Sequence, residues 1–266
     1  MNTLEYKMLD VLKELKEKHG ALSIRAEFEQ EGTKLEELLR MKEICMAAEL
    51  GLTLKIGGCE SIRDMLEARV VGVNYLVAPM VESAYSLRKY LQAVNKLFPK
   101  DQHEQHVEIL CNVETATAIS NFDEMLDVPE IGLLDGIVIE RVDLCFSLGR
   151  DERCINDEEI NEMVADVTEK AKTKSLSCTV GGGMSAHSLP FFSRLPEGRL
   201  DRCETRKICF DYAKGKEADL GKGILKALAF ELLWLRNKLS YYDGIASLDR
   251  QRIGIIEDQY WKIIEA

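Results

Sequence analysis

The sequence predicts an α/β fold, a TIM-type (β/α)8 barrel with one strand missing or atypical, followed by C-terminal helices. Short β-type runs alternate with helical patterns along the chain, as expected for βα units around a parallel sheet. Most of these runs are continuously apolar, which is typical of parallel strands buried on both faces. No Pro-, Gly- or Ser-rich linker divides the 266 residues, and one barrel domain of about 250 residues would occupy all of them.

The order of predicted elements begins with a charged amphipathic helix within 1–20, which is not a signal peptide. Seven strands are predicted, at 22–28, 52–57, 74–78, 107–113, 135–140, 176–182 and 203–211. Helices are predicted at 33–50, 60–69, 82–97, 115–126, 156–173, 187–194, 217–239 and 247–265. An eighth strand would lie in the weakly patterned start of the chain, or the barrel has lost one. The segment 99–106, with its two histidines, is predicted to be a solvated loop.

The composition excludes several classes of partner. There are 46 acidic and 35 basic residues, a formal charge of −11, whereas proteins that bind nucleic acid present a basic patch. No apolar stretch approaches the roughly 20 residues that span a membrane. The eight cysteines include no C-x-x-C pair, and several lie in apolar runs. We therefore expect a soluble, cytoplasmic protein whose cysteines are reduced packing residues.

Charged residues collect at the carboxyl ends of the predicted strands, where the active sites of barrels are built. In the first strand, period-two alternation places Arg25, Glu27 and Glu29 on one side. Later strand ends carry Lys55, Asn112, Glu114, Glu140, Asp143, Glu204 and Arg206. A single buried charge is most simply explained by a structural ion pair, but five charged strand ends together indicate a functional site.

Two of these carboxylates, Glu114 and Asp143, follow neighbouring strands. Together they could form an oxygen site for a hard divalent cation, which keeps some waters and binds substrate oxygens. Lys55 could then hold a substrate carboxylate. The arrangement predicts metal-assisted chemistry on a small anion.

The sequences after the fourth and fifth strands resemble those of the HpcH/HpaI aldolase and citrate lyase beta-subunit family. The segment 111–115 (CNVET) is similar to the family's ET motif, and 135–149 (DGIVIERVDLCFSLG) to its DG…DL…LG motif. The turn at 78–83 (APMVES) is similar to the family's PM[VI]E[ST] turn. The resemblance covers about 22–215, with the order and spacing of the motifs preserved.

The resemblance implies a phosphoenolpyruvate/pyruvate-type barrel that binds Mg²⁺ or Mn²⁺ through Glu114 and Asp143. In the family, the metal stabilises the enolate of a 2-oxo acid when a carbon–carbon bond breaks or forms. A metal-dependent lyase or class II aldolase is therefore expected, with a small anionic 2-oxo acid as substrate, free, phosphorylated or as a coenzyme A ester. One alternative is an enzyme that condenses pyruvate or phosphoenolpyruvate with a sugar aldehyde. Another is a catalytically degenerate barrel that acts as a binding or assembly subunit.

Departures from the family pattern affect the residues for substrate binding and proton transfer. Lys55 replaces an Arg that binds the substrate carboxylate, and lysine lacks the bidentate fork; a Schiff base on Lys55 is a minor alternative. The Asp–His pair of the aldolase branch is absent after the first strand, so Glu27 or Glu29 is the candidate acid or base. Glu140 and Arg141 replace the usual Gly-Pro.

The loop 181–188 (GGGMSAHS) follows a strand and opens a predicted helix. Its N–H groups could bind a substrate phosphate or carboxylate, with Gly182, Gly183, Ser185 and His187 as candidates. A tight turn with a serine cap is the alternative.

Two further expectations concern the end of the chain. Glu204 and Arg206 lie on the same side of the last predicted strand, which predicts an ion pair between them, with Arg206 bound to substrate as the alternative. The helices of 217–266 are rich in Leu, Ile and Trp. Because the last helices of the family often pack on a neighbouring subunit, the resemblance implies a homo-oligomer with 260–261 and 263–264 at the interface.

Overall fold

Eight strands close into a barrel, each hydrogen-bonded to the next in chain order. The structure, a computed structural model, describes residues 1–99 and 107–264. The strands are β1 Ala21–Glu27, β2 Gly51–Lys55, β3 Tyr75–Ala78, β4 Glu108–Asn112, β5 Gly136–Glu140, β6 Ser177–Gly181, β7 Arg202–Glu204 and β8 Ile208–Asp211. The predicted barrel is therefore confirmed. The two histidines of the predicted loop 99–106 lie outside the described residues.

Helices surround the barrel and continue beyond it. They are α1 Thr3–His19, α2 Leu35–Ala48, α3 Ile62–Val71, α4 Ala84–Leu97, α5 Ala116–Ser120, α6 Phe122–Leu126, α7 Arg141–Ser147, α8 Glu158–Thr173, α9 Leu189–Arg194, α10 Tyr212–Glu217 and α11 Leu220–Ile264. Short 3-10 helices occupy Ile131–Leu133, Glu152–Asn156 and Ala186–Ser188. Within the described residues, no helix is both long and apolar enough to cross a bilayer.

The atypical strand is β8, which runs antiparallel to both of its neighbours, β7 and β1. The predicted strand 203–211 is in fact two strands, so the eighth strand is neither lost nor hidden at the start of the chain. A tight turn separates them, in which the Thr205 N–H donates to the Ile208 carbonyl oxygen at 2.9 Å. The Ile208 N–H donates in return to Thr205 Oγ1 at 3.1 Å. The polar stretch 205–207 interrupts the apolar run because it forms this turn.

The reversal of β8 returns the chain to the amino-terminal end of the barrel. There the Asp211 N–H donates to the Gly20 carbonyl oxygen at 2.9 Å, and the Asp211 side chain caps α10. Helix α11 then packs along α1, where its Phe230 and Trp234 are buried. The two predicted helices at 217–239 and 247–265 are one continuous helix, because Gly244 alone, without a proline, is not enough to end it.

One pair of cysteines is oxidised, contrary to the expectation that all eight are reduced. Cys145 and Cys154 form a disulfide that links α7 to the 3-10 helix Glu152–Asn156. The six other cysteines are free. Burial raises the pKa of Cys45, Cys178 and Cys209 to about 12, so these thiols remain neutral and pack as small apolar groups.

Candidate active site

A cavity of about 160 Å³ opens at the carboxyl end of the barrel, and it brings together most of the predicted site residues. Its lining includes Arg25, Glu27, Gln30, Lys55, Glu140, Asp143, Gly182, Gly183, Glu204, Thr205 and Arg206. We call this part of the molecule the mouth. Charged side chains are rarely buried without compensating partners. The partners of each charged side chain therefore determine whether it is available to bind a ligand.

A buried arginine lies at the base of the mouth among three glutamates. Arg25 Nη2 is 3.0 Å from Glu140 Oε1, 3.1 Å from Glu204 Oε1 and 3.3 Å from Glu27 Oε1. Arg25 Nη1 also donates to the Thr205 carbonyl oxygen at 3.1 Å. One cation therefore faces three carboxylates, which leaves an excess of negative charge.

The excess charge in this cluster favours a bound proton. Burial raises the pKa of Glu204 to about 8, with nearby Glu140 adding to the effect and Arg25 opposing it. Near neutral pH, Glu204 therefore holds a proton for most of the time.

Lys55 ends β2 and points into the mouth, where its side chain is buried. Its Nζ lies 3.0 Å from Glu29 Oε2. Burial by itself would lower the pKa of Lys55, but the carboxylates of Glu27, Glu114 and Glu140 outweigh it and raise the pKa. The amine is therefore a protonated cation, suited to binding an anion.

Glu114 follows β4, and both of its carboxylate oxygens accept hydrogen bonds. Oε1 accepts from the Met80 N–H at 2.8 Å, and Oε2 accepts from Asn112 Nδ2 at 2.7 Å. Met80 has a φ of 51°, a left-handed conformation that is uncommon for residues other than glycine. Burial raises the pKa of Glu114 to about 7, although Lys55 opposes the shift.

Asp143 lies in the first turn of α7, directly after β5, and is half-buried. Burial raises its pKa, and Glu140 adds to the shift. Among the described residues, its carboxylate makes neither a hydrogen bond nor an ion pair. Asp143 is therefore available to a ligand in the mouth.

Whether a divalent cation would fit depends on which oxygen atoms of these side chains are free to bind it. In the part of the chain that the structure describes, no group of three or more His, Cys, Asp or Glu is arranged to hold a metal. Yet buried Glu27 Oε2 and Asn112 Oδ1 have no hydrogen-bond partner there, and Asp143 is unpaired. Unsatisfied oxygen acceptors fit a hard cation that takes its remaining ligands from water and substrate.

The glycine loop after β6 is fixed by the buried guanidinium of Arg141. Arg141 Nε donates to the Gly181 carbonyl oxygen and Nη2 to the Gly182 carbonyl oxygen, both at 2.9 Å. Gly182 has a φ of 77°, and a Cβ there would lie 2.5 Å from the backbone nitrogen of Arg141. Glycine is required at this position by both conformation and space.

Only half of the predicted anion-binding loop reaches the mouth. Gly182 and Gly183 line the cavity, but Ser185 and His187 do not. The Ser185 N–H donates to Ser188 Oγ at 3.3 Å in a reciprocal cap of the 3-10 helix, and His187 is exposed. The predicted helix 187–194 is this 3-10 helix followed by α9.

The expected ion pair between Glu204 and Arg206 is wrong. Glu204 pairs with Arg25 instead, and Arg206 lies in the turn between β7 and β8 at the rim of the mouth. Its Nη2 donates to Gln30 Oε1 at 3.1 Å. Strand alternation does not hold through a turn, which instead buries Lys207 in an ion pair with Glu31.

Comparison with known proteins identifies a family for this chain. A model of the HpcH/HpaI aldolase/citrate lyase family matches residues 42–180. The chain belongs to this family. None of the curated protein sequences compared with it matches.

Solved structures of family members have the same fold. The HpcH/HpaI aldolase from Desulfitobacterium hafniense DCB-2 is 14% identical with a TM-score of 0.60, over 82% of this chain and 87% of that chain. An HpcH/HpaI aldolase/citrate lyase family protein from Burkholderia cenocepacia J2315 is 13% identical with a TM-score of 0.57, over 85% and 99%. The citrate synthase SbnG is 14% identical with a TM-score of 0.58, over 88% and 90%. Such low identities show a shared fold and no more.

The HpcH/HpaI match covers only part of the mouth. Lys55, Glu114 and Asp143 lie inside the matched residues, whereas Arg25 and Glu204 lie outside them. The mouth therefore combines residues of the matched segment, including Glu140 of the buried charge cluster, with Arg25 and Glu204 from the first and seventh strands.

Sequence reasoning missed how Arg25, Glu140 and Glu204 act together. Each was visible as a charge near a strand end, but nothing in the sequence indicated that the three side chains converge. Arg141 was visible only as a departure from Gly-Pro. Its burial over the rings of Phe191 and Phe192, 4.7 and 5.1 Å from the guanidinium carbon, has no local sequence signal.

Proposed function

We propose that this protein is a divalent-metal-dependent carbon–carbon lyase, a class II aldolase, that acts on a small 2-oxo acid. The observation that supports the proposal is the composition of the mouth. Asp143 lines the mouth together with Lys55, a buried protonated lysine. Glu114, which follows the neighbouring strand, lies outside the lining of the cavity but interacts electrostatically with Lys55. The cavity of about 160 Å³ favours a small acid as the reacting group.

In this proposal, Glu114 and Asp143 hold Mg²⁺ or Mn²⁺. When bound, the cation supplies Lewis-acid stabilisation of the negative charge that develops on an enolate. The Met80 N–H and the Asn112 amide orient the Glu114 carboxylate. A cation is also needed on electrostatic grounds, because the many carboxylates of the mouth would otherwise repel an anionic substrate.

Lys55 would bind the carboxylate of the 2-oxo acid. Its protonated amine already contacts a carboxylate, that of Glu29, and the substrate would take the place of this partner or share the amine with it. A protonated amine is a poor nucleophile, which argues against a Schiff base on Lys55.

Proton transfer is assigned to Glu27, with Glu29 as the second candidate. Arg25 holds Glu27 Oε1, and Glu27 Oε2 has no hydrogen-bond partner among the described residues, so one oxygen is free to exchange a proton with the substrate. Glu29 is more exposed and is paired with Lys55. Arg206 at the rim would contact the outer part of the substrate.

The glycine loop supports the alternative of a condensing enzyme. Gly182 and Gly183 line the mouth, and their N–H groups could receive a phosphate or a second carboxylate. One similar structure is a citrate synthase. In either direction of reaction, the same enolate would be stabilised.

The test is exchange of the methyl protons of pyruvate in D₂O, followed by NMR with Mg²⁺ added. We expect exchange in the wild type, its loss on chelation, and a decrease of at least about 100-fold in Glu114→Gln, since a metal ligand supplies several kcal/mol of stabilisation. Glu124→Gln, at an exposed position on α6, is the matched control and should leave the rate unchanged. Equal rates in Glu114→Gln and the wild type would refute the proposal.

A further inference from the structure

Two glutamates from different strands meet over a glycine in the mouth. Glu140 ends β5 and Glu204 ends β7, while Gly181 ends β6, the strand that lies between them in the barrel. A Cβ added at Gly181 would lie 2.8 Å from Glu140 Oε2 and 3.0 Å from Glu204 Cγ. Any residue other than glycine at this position would therefore push the two side chains away.

The two carboxyl groups contact the same nitrogen atom and are shielded from water. Arg25 Nη2 lies 3.0 Å from Glu140 Oε1 and 3.1 Å from Glu204 Oε1, and both glutamates are buried. Two carboxyl groups that share a buried site repel each other when both are charged, so one of them keeps its proton. The geometry of the strand ends therefore favours a proton bound at this pair.

Glu204 is the member of the pair that carries the proton. Its pKa is raised to about 8, mainly by burial, and Glu140 contributes through its charge and through a hydrogen bond, whereas Arg25 opposes the shift. The other groups that face it are Glu27 of β1 and the thiol of Cys209 of β8. Burial raises the pKa of that thiol to about 12, so the thiol stays neutral.

The carboxyl group of Glu204 opens on the cavity in which a substrate would lie. Glu204 lines the mouth together with Lys55 and Asp143. Apart from its ion pair with Arg25, Glu204 Oε1 has no hydrogen-bond partner among the described residues, so this oxygen is available to a ligand. A general acid is most effective when its pKa lies near the working pH, because it is then protonated and still releases its proton readily.

We propose that Glu204 is the catalytic acid that protonates the enolate carbon. The assignment rests on the proposed function and divides proton transfer between two glutamates. When the carbon–carbon bond of the 2-oxo acid breaks, Glu27 takes the proton of the substrate hydroxyl, and the bonding electron pair stays with the enolate. Glu204 then gives its proton to the enolate carbon, which becomes the methyl carbon of pyruvate. Glu204 is left as a carboxylate, and the proton taken by Glu27 restores it through solvent.

Exchange of the methyl protons of pyruvate in D₂O isolates this step, because pyruvate has no hydroxyl group on which Glu27 could act. In the exchange, ionised Glu204 removes a methyl proton and returns a deuteron. At saturating Mg²⁺, the wild-type rate should rise as Glu204 ionises and level off above about pH 8. Glu204→Gln should lower the rate at least about 100-fold, whereas Glu124→Gln, at an exposed position, should match the wild type.

Binding of Mn²⁺ separates loss of the acid from damage to the site. Glutamine matches the protonated glutamate in size and charge, so calorimetry near neutral pH should give the same Mn²⁺ affinity for Glu204→Gln and the wild type. Weaker Mn²⁺ binding, or exchange that survives in Glu204→Gln, would overturn the assignment and leave the proposed function standing. A wild type that shows no exchange would overturn both.

Infrared spectroscopy tests the proton itself, without metal or substrate. A protonated buried carboxyl group has a C=O stretching band, and that of Glu204 should disappear from the wild type as the pH passes about 8. The same band should be absent from Glu204→Gln at neutral pH. If no such band titrates near this pH in the wild type, Glu204 does not hold the proton and the proposal is wrong, whether or not Glu204→Gln folds.

Discussion

The mouth and the outer face of α11 break the usual rule of burial in opposite ways. In the mouth, charged side chains are inside, and Arg25 contacts three glutamates of the same chain. On the outer face of α11, large apolar side chains such as Leu225, Leu232 and Leu239 are exposed. The difference is that the charged side chains of the mouth find partners within the chain, whereas the exposed apolar side chains of α11 do not find them among the described residues. Changes in the mouth should therefore alter stability or catalysis.

The largest effect on stability is expected from Arg25→Met. This substitution removes the cation that contacts buried Glu27, Glu140 and Glu204. Loss of one partner of a buried ion pair costs about 3–5 kcal/mol. The free energy of unfolding, measured by urea denaturation near neutral pH, should fall by that amount. Arg63→Met, at a side chain that is 89% exposed, should change it by less than about 0.5 kcal/mol. Equal stability of Arg25→Met and the wild type would mean that the mouth does not depend on this compensation.

The second largest effect is expected on the pH dependence of the free energy of unfolding. The folded chain keeps the proton of Glu204 up to about pH 8, while an ordinary carboxyl releases it near 4.5. Between these values the folded state binds more protons, so the free energy of unfolding should decrease as pH rises, by at most about 1.4 kcal/mol per pH unit. Glu204→Gln cannot release this proton and should reduce the slope, most clearly between about pH 7 and pH 8, because Glu114, whose pKa is raised to about 7, still contributes at lower pH. An unchanged curve in Glu204→Gln would show that another group carries the proton.

The site residues that lie at the carboxyl ends of the strands could be predicted from the sequence. Lys55 and Asp143 line the mouth, and Glu114 interacts with Lys55, because the carboxyl ends of parallel strands meet at one end of a barrel. Arg206 was misplaced for a local reason, since the turn formed by Thr205 and Ile208 breaks the alternation on which its position was inferred. The disulfide between Cys145 and Cys154 was missed because a separation of nine residues has no motif.

The prediction of the helices was also limited by what neighbouring residues along the chain can indicate. The predicted break near 240–246 concealed that α11 is one continuous helix. Which of its faces is exposed depends on the other face packing on α1, which local sequence does not reveal.

Local patterning alone determined the alternation of strands and helices, the family motifs and the charged strand ends, because these depend on neighbours along the chain. The tertiary structure decided which distant groups meet. It joined β1, β5 and β7 around Arg25, reversed β8 and left one face of α11 uncovered. The cluster around Arg25 depends on side chains more than 100 residues apart, such as Arg25 and Glu140, and their pairing follows from closure of the barrel.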